Sequence, residues 1–249
     1  METVLVIGAA RSGIAVSKLL LKNGYHVVLT DSNAIKEKTE LESMGIEVFD
    51  GGHPDSLKEK KYAFIVKNPG IPYRVPFVHY FVEQNAKIYT EIEVAYRYAK
   101  NFNYAAVTGT DGKTTVTTLL YEMLNRQKKS LVAGNIGTPL CELALEYTDE
   151  DYNVALELRN FQLLGIETFR PHVSTVTNLA PDHLDYMDSL EAYYESKMRI
   201  YENTNADDYF IRNVDDENVV KYAQNIPCHV IDFSLKRKDV DLYKDDKYA

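Results

Sequence analysis

The sequence predicts an α/β fold in two parallel-sheet domains, residues 1–101 and 102–249, and three observations lead there. Short apolar segments alternate with helix-like stretches along the chain, the order of parallel strands joined by helical crossovers. Twice an apolar strand runs into a glycine-bounded turn that opens a helix, at Gly8–Gly13 and at Gly109–Gly112. A length of 249 residues leaves room for two cores of ordinary size.

The elements follow in order. TVLVIGAARSGIAVSKLLLKNG reads as a buried strand, a glycine turn and an amphipathic helix closed by Gly24. YHVVLTD, IEVFD and YAFIVKNPGIP supply further short strands, separated by helical or turn stretches, and the first domain ends near Asn101. NFNYAAVTGT begins the second sheet, with strands at Tyr104–Val107, Ser130–Ala133, Tyr152–Leu158, His172–Thr177, Asp208–Asn213 and Cys228–Phe233. Helices fill the gaps, notably Lys113–Asn125 and Leu190–Glu202. VDLYKDDKYA reads as a first hairpin strand with an Asp-Asp turn, the chain stopping where the partner strand should finish. An unpaired edge there is a liability, so the second domain is expected to be incomplete.

Composition excludes several classes. With 45% hydrophobic and 26% charged residues the chain is neither collagenous, disordered nor a disulfide scaffold. A net charge of -9 argues against a nucleic-acid surface, which needs an excess of Lys and Arg to neutralise phosphates. Cys141 and Cys228 lack metal-ligand spacing and suit a reducing compartment, as small core residues. METVLVIG has no basic leader before a long apolar segment, and no 18-residue apolar run follows, so no membrane partner and a cytoplasmic location are expected.

Each motif carries a functional reading and a bland one. In Gly8-Ala9-Ala10-Arg11-Ser12-Gly13, backbone N–H groups and the helix dipole can hold a phosphate, and Asp31 ends the next strand where dinucleotide folds place a ribose-binding carboxylate. Ala10 replaces the middle glycine and crowds a pyrophosphate, so the turn serves equally as the first βα connection of any Rossmann-like domain. Gly109-Thr110-Asp111-Gly112-Lys113-Thr114-Thr115 is more specific. Its glycines let successive amides face one anion, Lys113 brings a point charge to the terminal phosphates, and the Thr114 hydroxyl can ligate Mg²⁺. The spacing is short of the usual phosphate loop, since Val107 stands where the first glycine belongs. The bland reading is a polar strand-to-helix connection.

Glu157 sits at the carboxyl end of a strand, the edge where open α/β sheets bind ligands, and can hold a second Mg²⁺ or simply be solvated. His183, with Asp182 and Asp185, can be a metal ligand or an acid-base group, although a lone loop histidine is usually neither. Lys197 lies on a helix with apolar Tyr193, Met198, Ile200 and Tyr201, where a lysine is ordinarily a solvated charge.

TGTDGKTT across Thr108–Thr115, with KNPGIP, TEIEVAY, AGNIG, FQLLGIETFRPH and HLDY in register, resembles the Mur ligase family from the first strand almost to Ala249. The resemblance implies a Rossmann-like domain that binds a UDP-linked precursor, followed by a P-loop-type ATP-binding central domain truncated before completion. The implied partners are UDP-N-acetylmuramoyl-L-alanine, ATP and D-glutamate, and the implied cofactors ATP and Mg²⁺. By the same resemblance, Gly109, Thr110, Asp111, Gly112, Lys113, Thr114 and Thr115 grip ATP, and Thr114, Glu157 and His183 hold Mg²⁺ directly or through water. Lys197 matches a lysine that reacts with CO₂ to give a metal-binding carbamate, a role that requires a neutral amine and a depressed pKa. Arg11, Ser12, Asp31 and Ser32 fall where uridine is received, and Asn68, Asn135 and Gln162 where diphosphate, sugar and substrate are positioned. Lys113, Glu157, His183 and Lys197 are thus the implied catalytic group.

Three departures stand against the family pattern. Arg159 and Asn160 replace the two serines of ELSSFQ; Asp111 stands where Asn is common; and the chain is expected to lack the family's third domain, which closes over ATP. Independent turnover is therefore not expected, and a non-catalytic nucleotide-sugar or ATP-binding module is the alternative.

Overall fold

The structure, a computed structural model, describes residues 1–182, 187 and 189–244. Its chain folds into two units. The first comprises Met1–Lys100 together with Thr138–Thr148 and Gly165–Glu167; the second comprises Asn101–Gly137, Asp149–Leu164 and Thr168 onward.

The first unit is built on β1 (Thr3–Ile7), α1 (Arg11–Lys22), β2 (His26–Thr30), α2 (Lys38–Ser43), β3 (Glu47–Phe49), α3 (Ser56–Glu59), β4 (Phe64–Lys67), α4 (Pro76–Glu83), β5 (Ile88–Tyr89) and α5 (Glu91–Tyr98). All five strands are parallel, in the order β3-β2-β1-β4-β5. Val4, Leu5, Val6 and Ile7 are all buried, as a strand covered on both faces must be, and each such side chain contributes roughly 1.5–3 kcal/mol of transfer free energy. Leu5, Ile7, Val28 and Ile65 pack with Leu57, Phe77, Val78 and Phe81 into one core. The order in which the chain lays down its strands reverses between β1 and β4, and the carboxyl ends of those two strands flank the crevice where such sheets take ligands. The two-residue β5 is too short to announce itself as an apolar run.

Helix α5, from TEIEVAY, holds two wholly buried carboxylates. Glu91 accepts from the backbone N–H groups of Leu140 and Cys141, capping the helix Leu140–Glu146 (α7 below), while Glu93 accepts from Glu167 N at 2.9 Å. Burial pushes Glu91 up to about 7, against the pull of those two N–H donors. The two returns of the chain to this unit are therefore fastened by acids that a burial pattern read from sequence would place in water.

The second unit carries β6 (Phe102–Thr108), α6 (Lys113–Gln127), β7 (Ser130–Gly134), β8 (Tyr152–Glu157), α8 (Asn160–Leu163), β9 (Val173–Val176), α9 (Leu190–Met198), β10 (Tyr209–Asn213), α10 (Glu217–Tyr222), β11 (His229–Ser234) and β12 (Leu242–Tyr243); α7 (Leu140–Glu146) lies in the first unit. Its seven strands are parallel, in the order β12-β11-β10-β9-β6-β8-β7. The helix expected over Leu190–Glu202 is α-helical to Met198 and tightens to a 3₁₀ turn at Arg199–Tyr201. Leu242–Tyr243 is a strand, paired parallel with β11, and the Asp-Asp turn after it lies outside the described residues. Among the described residues no helix is long and apolar enough to cross a membrane.

Candidate functional site

The site of the second unit grows from the centre of its sheet. β6 lies between β8 and β9, so the loop leaving its carboxyl end meets the ends of both neighbours. Val107 is in register with Glu157 and with Thr175, which sets the start of the loop beside the Glu157 carboxylate. Gly109 is required here: its φ is +143°, and a Cβ would collide with the Thr177 hydroxyl.

A second loop, Thr177–Ala180, clamps the first. Thr110 N donates to Asn178 O at 3.0 Å and Asp111 N to Asn178 Oδ1 at 2.9 Å, while Asn178 Nδ2 donates back to Asp111 O at 2.9 Å. Thr177 Oγ1 donates to the same carbonyl at 2.7 Å, and Ala180 N to Thr110 Oγ1 at 3.0 Å. The sequence reading missed Asn178; its place five residues before His183 is the only hint. What the clamp leaves open is the helix terminus: the N–H groups of Gly112, Lys113, Thr114 and Thr115 have no acceptor among the described residues. Four such donors, at the positive end of a 15-residue helix, make an anion site.

The charged groups gather round that terminus. Thr114 Oγ1 donates to Glu157 Oε2 at 2.8 Å, and Asn135 Nδ2 to Glu157 Oε1 at 2.5 Å. Glu157 is fully buried, and a hydroxyl beside a carboxylate is a hard-oxygen donor set of the kind that Mg²⁺ takes, with phosphate and water completing its shell. Asn135 is thus brought to Glu157, a neighbour that its spacing in the sequence did not give. Among the described residues no group of three or more His, Cys, Asp or Glu converges, and His183, like Asp185, lies outside them.

Lys113 folds back on its own loop, Nζ to Thr110 O at 2.6 Å. Burial lowers its pKa, Glu157 pulls it up and Arg159 pushes it down again. Lys197 is only 2% exposed, its Nζ donating to Gly109 O at 2.6 Å and lying 4.6 Å from the centre of the Tyr193 ring. This overturns the solvated-lysine reading: α9 buries Tyr193, Tyr194, Ser196, Lys197 and Met198 together. Burial first, then the neighbouring Lys113 charge, brings its pKa down to about 7, so a substantial part of it is a neutral amine near neutrality. Gln162 is buried, and its Oε1 accepts from Arg159 N at 2.9 Å, closing the first turn of α8. A largely apolar cavity of about 470 Å³ opens beside the loop, lined by Asp111, Gly112, Val116, Asn178, Ile211 and Phe233; it holds none of Lys113, Glu157 or Lys197.

In the first unit the Gly8–Gly13 turn is closed by its own anion. Asp31 Oδ2 accepts from Ala9 N at 2.6 Å and Oδ1 from Asn33 N at 2.8 Å. Burial works to raise its pKa, but these hydrogen bonds outweigh it and hold the carboxyl below its ordinary value. Asn68, at the end of β4, donates to Ser12 Oγ at 3.3 Å, so Ser12 and Asn68 meet at the crevice between β1 and β4. Arg11 is exposed and forks onto Glu142, both bonds 3.0 Å, and Ser32 is exposed beside Asn33. Lys67, which the sequence reading passed over, is fully buried; its Nζ donates to Ile71 O at 2.6 Å and Asn68 O at 3.2 Å, and burial lowers it to about 8. It fixes the KNPGIP loop that carries Asn68.

Comparison with known proteins bears on family and fold. The Mur ligase middle domain model matches residues 107–249. UDP-N-acetylmuramoylalanine–D-glutamate ligase of Geobacillus sp. (strain WCH70) is 43% identical over 94% of this chain and 52% of its own length. The enzyme of that name from Streptococcus uberis is 39% identical over 98% of this chain and 54% of its own. The chain thus spans about half the length of these relatives. Among solved structures, a UDP-N-acetylmuramate:L-alanyl-gamma-D-glutamyl-meso-diaminopimelate ligase from Neisseria meningitides covers 94% of this chain, and 78% of that one, with a TM-score of 0.61 at 17% identity. UDP-N-acetylmuramate-alanine ligase from Thermotoga maritima covers 95% of this chain and 53% of that one, with a TM-score of 0.52 at 22% identity. At such identities the two structures speak for the fold alone, and that fold is the α/β one described above. With a family model matched over more than half its residues, this chain belongs to the Mur ligase family.

Proposed function

We propose that this chain carries the nucleotide and precursor sites of an ATP-dependent ligase that adds D-glutamate to UDP-N-acetylmuramoyl-L-alanine in peptidoglycan precursor synthesis. The observation that carries the reading is the convergence of the open α6 terminus, Lys113, Lys197 and the Thr114–Glu157 pair at the end of β6. Four unpaired N–H groups and the Lys113 ammonium suit a polyphosphate, and the buried carboxylate suits its metal.

In the proposed reaction a carboxylate oxygen of the precursor's L-alanyl group attacks the γ-phosphorus of ATP, giving an acyl phosphate and ADP. The amine of D-glutamate then attacks the acyl carbon, phosphate leaves with the C–O bond electrons, and the nitrogen loses a proton. Negative charge moves over phosphoryl oxygens throughout, so positioning and cations carry the catalysis. Lys113 would exchange Thr110 O for the phosphates, Thr114 and Glu157 would hold Mg²⁺, which would screen phosphoryl charge, and Lys197, if carbamylated, would add a second anion for the metal. In the first unit, Ser12, Asn68 and Asp31, with Arg11 and Ser32, are the residues proposed for the UDP end; in the second unit, Asn135 and Gln162 are those proposed for the precursor.

Calorimetric titration of the folded chain with UDP-N-acetylmuramoyl-L-alanine tests this, beside titration with Mg·ATP. Saturable binding of both is expected. Binding of nucleotide without precursor would reduce the chain to an ATP-binding module, and binding of neither would remove the reading altogether.

A further inference from the structure

Three cations stand about the phosphate loop, and two of them are engaged. Lys113 and Lys197 donate to the loop carbonyls of Thr110 and Gly109. The third, Arg159, lies two residues beyond Glu157 at the carboxyl end of β8. Among the described residues its guanidinium has no oxygen acceptor, and it lies 5.8 Å from the centroid of the Phe161 ring. The next residue, Asn160, is 1% exposed, and its Nδ2 likewise lacks an acceptor. Guanidinium does not shed its charge in a protein, and a buried amide without an acceptor costs roughly 1–3 kcal/mol.

Two adjacent residues therefore carry side-chain donors that meet no acceptor among the described residues, at the carboxyl end of the strands, where ligands bind. Leu158, the residue before the pair, is tied to the start of the loop: its N–H donates to Val107 O at 2.9 Å and its carbonyl accepts from Thr108 Oγ1 at 2.8 Å, so Arg159 and Asn160 leave the sheet beside the loop. The ELSSFQ pattern that this segment resembles has serines at both positions.

We propose that Arg159 and Asn160 form an oxyanion seat for the terminal phosphoryl group of the bound nucleoside triphosphate. The inference rests on the nucleotide reading above. A guanidinium fork matches two phosphoryl oxygens, and the Asn160 amide reaches a further acceptor that a serine hydroxyl would meet only at shorter range.

The test is calorimetric titration of the 249-residue chain with the Mg²⁺ complexes of ATP, ADP and AMP, in wild type, Arg159→Ser, Arg159→Lys and Asn160→Ser. Serine is the family pattern's own residue at both positions, and circular dichroism verifies the fold. Arg159→Ser should weaken ATP about tenfold or more, ADP less and AMP not at all, with Arg159→Lys between it and wild type. Asn160→Ser should show the same ATP-selective loss on a smaller scale, and it stands in if Arg159→Ser does not fold. Equal losses for all three nucleotides, or ATP binding that is unchanged or tighter, would overturn the seat and leave the nucleotide site standing. A folded wild type that binds none of the three overturns both.

Discussion

The turns Gly8–Gly13 and Gly109–Gly112 have one plan and opposite electrical settings. Each leads from the carboxyl end of a central parallel strand into a helix with open N–H groups. In the first, the anion is internal: Asp31 holds Ala9 N, and the nearby cation, Arg11, is 61% exposed and already forked onto Glu142. In the second, an asparagine rather than a carboxylate clamps the loop, and Lys113 and Lys197 donate to its carbonyls. Backbone geometry makes a turn able to receive an anion; the side chains brought in from elsewhere decide how much negative charge it can accept. A second carboxylate-like charge at the first turn meets Asp31, whereas an anion at the second meets the Lys113 ammonium and an open helix terminus.

That contrast can be broken in several places. The largest effect is expected from Lys113→Ala, which should weaken Mg·ATP by about a hundredfold in calorimetry, while Arg11→Ala leaves ATP affinity unchanged. If both variants changed ATP alike, the two turns would not differ as described. Next comes Gly109→Ala, where the added Cβ meets Thr177 at a φ of +143°; a loss of roughly 1–3 kcal/mol in denaturant melts is expected, with ATP binding falling as the clamp shifts. Asp31→Ala should cost about 1–3 kcal/mol, since it strips acceptors from Ala9 N and Asn33 N, yet leave ATP affinity untouched.

The smallest effects are in pH dependence, and they have opposite signs in the two units. Glu91 titrates at about 7 when folded against an ordinary 4.5, so between those values the folded chain holds the extra proton and stability falls as pH rises. Lys197 titrates at about 7 against 10.5, so above pH 7 the unfolded chain holds the extra proton and stability rises with pH. Melts at pH 5, 7 and 9 should show Glu91→Gln flattening the lower limb and Lys197→Met the upper one. A ¹³C-bicarbonate spectrum of wild type should also carry a carbamate signal, absent in Lys197→Met and growing as pH rises through 7.

Much of this fold was legible because parallel strands buried on both faces are written as unbroken apolar runs. VLVI, HVVLT and YAAVT needed no partner to be recognised, and the glycines marked both turns. The phosphate loop's residue types were legible for the same local reason. Lys197 was misread from its helix, because one lysine among Tyr, Met and Ile says nothing of what covers it; only its likeness to a family motif pointed inward. Glu91, Glu93 and Lys67 gave no local sign at all, since their acceptors and donors lie on other segments.

The sequence alone determined which segments become strands, where the chain must turn, and which side chains could grip a phosphate. The tertiary structure decided which of those turns keeps an internal carboxylate and which gathers cations. It also brought Asn178 to Asp111, Asn135 to Glu157 and Glu91 to the α7 terminus. The physical reason is range: strand and turn preferences act over a few residues, whereas burial, pairing and pKa depend on groups that only the folded backbone brings within a few ångströms.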